Sequence, residues 1–331
     1  MTAKQLKNSI IQQAIQGKLI KQNKEDEPAS ELLKRIKAER EKLIKSGKIK
    51  VNKNISAIYR KGNSFYEKIE NEEICIDEEL PFEIPKTWEW VRLYNISKNI
   101  TAGGDKPNKF SKCSTKECSI PVLSNGEKDF GLFGYTDIPR ITEHSITVSG
   151  RGTIGFSCVR RYPYTPIVRL ICIIPMNIIN LDYLQIVLTT LLEKGVGTSI
   201  KQLTVPMLSP KLIPLPPIEE QKRIVNKLNQ LMPLIEEYEE KENKLNELDK
   251  KFPERLKKSI LKEVFDGKLI KSYNKKTLEE ICIYSTSNIA IKDIKNKKGN
   301  YPVYGASGII GYVDFYSKEK ECLGILKDGS V

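Results

Sequence analysis

Apolar residues recur at helical spacing in two stretches near the start of the chain. Leu6, Ile10, Ile11, Ala14 and Ile15 form one stripe, and Leu32, Leu33, Ile36, Leu43 and Ile44 form another. Residues 2–46 are therefore predicted to be two helices, with Gly17 and Gly47 at their ends. Residues 48–85 carry little periodicity, an acidic run from Glu72 to Glu79, and Pro81 and Pro85, so this segment reads as an ordered linker or extended arm. From Trp88 to Leu215 the pattern changes to short apolar runs broken by Gly, Pro, Asn and Asp. Ser145–Ser149, Gly155–Val159 and Ile167–Ile174 are strand-length and rich in β-branched residues, while Leu181–Leu192 fits a helix. A compact α+β domain over 86–215, with mixed β-sheet and helices, follows from this.

Ile213-Pro214-Leu215-Pro216-Pro217 stops that domain, and Ile218-Glu219-Glu220-Gln221 opens a long helix. Leu228, Leu231, Ile235, Tyr238, Leu245 and Phe252 follow heptad spacing, interrupted by Glu242 and Asp249, with flanks dense in Glu and Lys. About 35 residues of such a pattern predict a coiled coil spanning roughly 50 Å. Leu228, Leu231, Ile235, Tyr238 and Leu245 are its candidate partner-binding positions; an ordinary amphipathic helix packed on a core is the alternative. Phe252-Pro253 is expected to break the helix.

Leu256–Ser272 (LKKSILKEVFDGKLIKS) then repeats Leu6–Gln22 (LKNSIIQQAIQGKLIKQ) at nine of seventeen positions. The second copy is expected to return alongside its neighbouring helix or its N-terminal twin. The echo continues in Ile120-Pro121-Val122 against Tyr301-Pro302-Val303, and in Gly152-Thr153-Ile154 against Gly329-Ser330-Val331. So long a repeat, with helices between globular units, predicts two heads on one helical spacer. The expected organisation is a helical region over 1–47, a linker or arm over 48–85, a first head over 86–215, antiparallel coiled-coil spacer helices over 216–270 and an incomplete second head over 271–331.

The net charge of +13 is unevenly placed: +9 over residues 1–70, −6 over 71–85, +7 over 86–215, zero over 216–270 and +3 beyond. A polyanion would meet the heads and not the spacer. Nucleic acid fits, because phosphates need Lys and Arg spread along a face; a Lys-rich surface without a partner is the plainer explanation. No run of about eighteen apolar residues occurs and the first residues lack the order of a signal peptide, so no membrane association and a cytoplasmic location are expected. Seven scattered cysteines fit reduced core thiols better than a disulfide framework.

Gly150-Arg151-Gly152-Thr153-Ile154-Gly155 satisfies a dinucleotide-binding glycine pattern, but β-branched, Pro-interrupted residues follow it where a helix is required. It reads instead as a glycine-rich hairpin that presents Arg151 to a guanine edge or a phosphate. Arg160-Arg161-Tyr162-Pro163-Tyr164 interleaves cations with aromatic rings and suits phosphate contact with stacking. Lys201 and Gln202 add a basic and an amide side chain, and Ser124 and Asn125 could read bases from a turn. Together Ser124, Asn125, Arg151, Arg160, Arg161, Tyr164, Lys201 and Gln202 are the candidate DNA-binding residues. Cys113 and Cys118 have no second ligand pair at zinc spacing, and His144, the only histidine, has no accompanying nucleophile or acid pair, so neither metal binding nor catalysis is expected.

Two longer motifs carry a resemblance. Asp77 to Leu93 (DEELPFEIPKTWEWVRL) looks like the opening of a target-recognition domain of the DNA specificity subunit of Type I restriction-modification systems. Ile213 to Val225 (IPLPPIEEQKRIV) is similar to that family's exit from the domain into its coiled-coil helix. The resemblance implies a non-enzymatic reader of double-stranded DNA: two recognition domains held apart by antiparallel helices, each reading half of a split site. It further implies methyltransferase and restriction subunits as partners, with S-adenosylmethionine, ATP and Mg²⁺ belonging to them and no cofactor in this chain. Residues 275–331 resemble the opening of a second recognition domain without its remainder. That leaves a truncated allele, a half-subunit that homodimerises through its helices to rebuild two heads, or a fragment completed by another chain. The alternative function is a helical adaptor, or silent allele, that binds the methyltransferase subunit without reading DNA.

Overall fold

The computed structural model describes residues 1–49, 56–69, 72–195, 202–269, 274, 276–285, 294, 299–305, 308–318 and 322–324. They form two compact units, Met1–Lys250 and Lys251–Val331. The first opens with α1 (Ala3–Ile15) and α2 (Ala29–Lys45). Thr2 starts α1 through a reciprocal capping box with Gln5. At its end Gly17 is required twice over: its φ is +70°, and a Cβ there would lie 2.5 Å from the ring of Pro85 and 3.0 Å from Trp88.

The segment expected to be a linker or arm is instead a three-stranded antiparallel meander of β1 (Ser56–Lys61), β2 (Ser64–Ile69) and β3 (Glu72–Cys75). Alternation in this stretch is weak because residue type and burial do not match: polar Ser56 and Glu67 are buried beside Ile58 and Phe65, whereas Ile69 and Ile74 are exposed. The acidity that obscured it is partly internal, since Glu67 and Glu79 both pair with Arg92.

The head itself holds β4 (Glu89–Arg92), β5 (Ser97–Ala102), β6 (Ile120–Leu123), β7 (Leu132–Thr136), β8 (Ser145–Val148), β9 (Ser157–Arg160), β10 (Thr165–Pro166) and β11 (Ile171–Pro175), then α3 (Leu181–Gly195), α4 (Val205–Leu208) and β12 (Leu212–Leu215). Its main sheet runs β5-β11-β8-β9, all antiparallel, and a smaller one runs β10-β6-β7 with β10 parallel to β6. β4 and β12 pair antiparallel, so the chain enters and leaves the head side by side. The three expected strands and the α3 helix are present, though β11 begins only at Ile171, after a turn over 167–170.

α5 runs Ile218–Phe265, through Pro253, so the expected break does not occur and the first part of the repeated segment, Leu256 to Phe265, forms the end of α5. A helix-interior proline forfeits one backbone bond and strains the preceding turn; around Pro253 every side chain is exposed, so neighbours need not repack. The two copies of the repeat end alike: Lys18 N donates to Gln13 O (2.8 Å) as Lys268 N does to Glu263 O (3.0 Å), with Gly17 and Gly267 both at φ +70°. α1 and the start of α5 run antiparallel. The backbone N–H of Ala3 donates to Glu242 (2.8 Å) and the Tyr238 hydroxyl to Met1 O (3.0 Å), while further along Gln22 reaches Glu220 and Asp26 reaches Arg223.

One core joins α1, α2, the meander, the head and the first turns of α5, from Ala14 and Ile36 through Ile58, Trp88 and Ile173 to Leu228. The expected boundaries at 47, 85 and 215 are therefore positions in a continuous packing unit. Only two of the seven thiols, Cys118 and Cys172, are buried, so the expectation of core cysteines holds for these and not for the exposed Cys75, Cys113, Cys282 and Cys322. In the second unit the described elements beyond α5 are α6 (Leu278–Ile281) and a hairpin of β13 (Tyr301–Gly305) and β14 (Gly308–Val313). Among the described residues no helix is long and apolar enough to cross a membrane.

Candidate nucleic-acid interface

The two motifs that frame the head are bonded to each other. Trp88, fully buried, donates from Nε1 to Glu220 Oε2 (2.9 Å), and the other carboxylate oxygen accepts from Gln22 (2.5 Å). Burial raises the Glu220 pKa against the pull of these donors. Gln221, equally buried, accepts from Asn180 N (3.1 Å) and donates to Pro216 O (3.0 Å), and Asn180 in turn caps α3. The Tyr183 hydroxyl donates to Pro214 O (2.8 Å). Entrance, exit and α3 are thus locked together at one end.

Four loops are stitched together elsewhere in the head: residues 103–105, 124–131, 149–156 and 167–170. Asn125 is the clamp. Its Nδ2 donates to Val168 O (2.6 Å) and its Oδ1 accepts from Gly150 N (2.8 Å). Gly126 N donates to the Ser149 hydroxyl, Val168 N and Arg169 N donate to Gly104 O and Gly103 O (2.9 Å each), and Leu203 N donates to Gly150 O (2.9 Å). Gly103 permits this approach, because a Cβ would lie 2.7 Å from Ile167 N.

Gly103, Gly104, Asp105, Lys106, Arg151, Val168 and Arg169 line a cleft of about 350 Å³ at this cluster. The Arg140 guanidinium lies over Gly104, 3.0 Å from where a Cβ would stand. Lys106, Arg140, Arg151 and Arg169, all exposed, thus converge from separate loops. Lys106 also caps the Phe110 ring at 3.8 Å, and Phe110 packs on the half-exposed Phe133 at 5.5 Å. Cations beside aromatic faces on a fixed scaffold can hold phosphates and meet bases.

The predicted contacts divide. Arg151 and Gln202 meet here, with Arg151 Nη2 donating to Gln202 Oε1 (3.0 Å), and Ser124 lies in the adjacent loop. Asn125 is here too, with its amide spent on the clamp. The glycine-rich run joins antiparallel β8 and β9, as the hairpin reading expected. Arg160 and Tyr164 are corrections: both are buried. Arg160 donates to Thr147, the Tyr162 hydroxyl and Phe130 O, and the Tyr164 hydroxyl pairs with Ser145 at 2.8 Å, so they support the sheet and its loops and do not face DNA. Burial also pushes the thiol of neighbouring Cys172 up to about 12, which keeps it inert. Arg161 lies on the surface in a bidentate pair with Asp182 (2.7 Å). Lys201 lies outside the described residues. Of the seam positions, Leu228 and Ile235 are buried in this chain and cannot meet a partner, Leu231 is half-buried, and Tyr238 and Leu245 are exposed.

Lys106, Arg140, Arg169 and Phe130 were not singled out from sequence. Arg169 follows Val168 in a turn where both have left-handed φ (+60° and +52°), and neither residue type announces such a turn. Among the described residues no group of three His, Cys, Asp or Glu could hold a metal ion.

An α+β head closed at one end by its framing motifs gathers cations from several loops elsewhere, an arrangement whose charge suits a polyanion. Residues 85–247 match the family described as "Type I restriction modification DNA specificity domain". A putative type I specificity subunit of Mycoplasma pneumoniae is 38% identical over 142 residues, covering 42% of this chain and 39% of that protein. The C-terminal part of another such putative subunit of the same organism is 37% identical over 97 residues, covering 29% of this chain and 67% of that protein. The crystal structure of the HsdS subunit from Thermoanaerobacter tengcongensis aligns at a TM-score of 0.43 and 19% identity, covering 72% of this chain and 53% of that one. The chain belongs to the type I restriction modification DNA specificity family. It spans less than half the length of the first curated relatives it matches.

Proposed function

We propose that this chain reads a DNA sequence as a non-catalytic specificity subunit and directs methyltransferase and restriction subunits to the site. The observation that carries this reading is the convergence of Lys106, Arg140, Arg151 and Arg169 on loops fixed by backbone bonds and by Asn125. In this reading S-adenosylmethionine, ATP and Mg²⁺ act on the partner subunits. The test is selection of a randomised duplex library by the purified chain, with and without its methyltransferase subunit, followed by sequencing of the retained DNA. An enriched motif is expected; retention of DNA without enrichment, even with the partner, would refute sequence reading.

The adaptor reading uses the other exposed feature, the apolar seam on α5, and gives the cation cluster no role. Both readings need the seam. Leu245 is 58% exposed and lies outside the core, so Leu245→Asp is expected to shift thermal unfolding little while weakening co-purification of the methyltransferase subunit about tenfold. Undiminished co-purification would remove the seam from the interface.

A further inference from the structure

The β6–β7 hairpin has a counterpart in the second unit with the same register, and the chain between their matched pairs differs in length. In the head, Ile120 faces Thr136, Pro121 faces Tyr135, Val122 faces Gly134, and a bulge follows before Leu123 faces Leu132. In the second unit, Tyr301 faces Val313, Pro302 faces Tyr312, Val303 faces Gly311, and the register again shifts before Tyr304 faces Ile309. Gly131, just before β7, and Gly308, first in β14, stand at the same place in Gly131-Leu132-Phe133-Gly134-Tyr135 and Gly308-Ile309-Ile310-Gly311-Tyr312, both with positive φ. Between the matched frames stand seven residues in the first copy, Ser124 to Phe130, and three in the second. A repeated frame with an unrepeated tip is what two heads with different targets require.

The longer tip is held in a costly conformation. Asp129 and Phe130 have φ of +50° and +52°, a left-handed region that disfavours residues bearing a side chain. The buried Arg160 guanidinium holds it there by donating to Phe130 O (2.5 Å), and Asn125 holds the base of the loop. The ring so presented is 64% exposed. Lys128 is flanked by Glu127 and Asp129, which repel phosphates but can accept from a base amino group. The cations stand on other loops, at the cleft.

We propose that the tip Glu127-Lys128-Asp129-Phe130 is the base-reading element of this head, entering a groove of duplex DNA with Phe130 against a base, while the cleft cations grip phosphates. Arg160 and Asn125 are its positioning residues. This deepens the DNA-reading assignment and rests on it.

The test compares the full chain with its Phe130→Ala, Asp129→Gly, Arg160→Lys and Arg169→Ala variants in library selection and in salt-dependent binding to the selected duplex. Phe130→Ala is expected to lose about tenfold to a hundredfold discrimination at one base pair with an unchanged salt slope. Asp129→Gly relieves the left-handed strain, so it should raise the thermal midpoint while blunting preference at that same base pair. Arg160→Lys should blunt it there and nowhere else, which a general loss of packing would not do. Arg169→Ala should weaken all sequences and lower the salt slope by about one. If the wild type enriches a motif and Phe130→Ala and Asp129→Gly enrich it equally well, the tip is not the reader. If the wild type enriches none, the DNA-reading assignment falls and this inference with it.

Discussion

Trp88→Ala is expected to destabilise the first unit by about 3–5 kcal/mol, read as a fall in the urea midpoint. The indole is fully buried and stands edge-on to Tyr183 at 6.5 Å, so its removal leaves a cavity in the core shared by the head and α5. It also strips a donor from Glu220, which has no access to water. Trp88→Phe separates the two effects, because it fills most of the cavity without donating. The Glu220 pKa is raised by burial, and loss of the donor raises it further. A carboxyl whose folded pKa lies above its unfolded value contributes stability that is present below the ordinary carboxylate range and lost as pH rises through the folded pKa. The deficit of Trp88→Phe should therefore be larger at pH 7.5 than at pH 4.5. Equal deficits at both would mean that the hydrogen bond carries none of the effect.

This network also explains what was legible in the sequence. The motif from Ile213 to Val225 stands out as a string of residues, and the structure gives it a physical meaning: Glu220 and Gln221 are polar groups that must be buried to bond Trp88, Gln22, Asn180 and Pro216. The strands at Ser145 and Ser157 and the α3 helix follow from apolar runs of the right length. The meander was hidden because buried Ser56 and Glu67 and exposed Ile69 and Ile74 break its alternation, and its Glu-rich edges mimic a solvated arm. The cleft was hidden for a different reason. Lys106, Arg140, Arg151 and Arg169 sit in separate loops, and what joins these is backbone pairing between loops plus one Asn side chain. Composition also misplaced Arg160 and Tyr164: a cation beside aromatic residues has the same appearance whether it is exposed or, as here, is buried and fixes a loop carbonyl.

The meander supplies the second large effect. Arg92 on β4 holds Glu67 of β2 by three contacts of 2.5–3.2 Å, with the Glu67 side chain only 5% exposed, and reaches Glu79 at 2.9 Å and Pro210 O at 3.0 Å. Breaking one side of a buried pair strands the other charge, at about 3–5 kcal/mol. Glu67→Gln should fall at the low end of that range, because Glu79 still partly neutralises Arg92. Burial acts to raise the Glu67 pKa, but the hydrogen bonds from Arg92 and Ser56, with the Arg92 charge, outweigh it and hold the carboxyl below its ordinary value. Its contribution is therefore present above the unfolded carboxylate pKa and lost as pH falls through the folded one. Wild type should lose stability on acidification more steeply than Glu67→Gln, and the two curves should converge toward low pH. Because the pair joins the meander to the strand that enters the head, hydrogen exchange should quicken first in β1, β2 and β3 of the variant, ahead of β5, β8 and β11. Parallel pH curves would place the stabilising energy in packing around Phe65 and Ile58 and not in the ion pair.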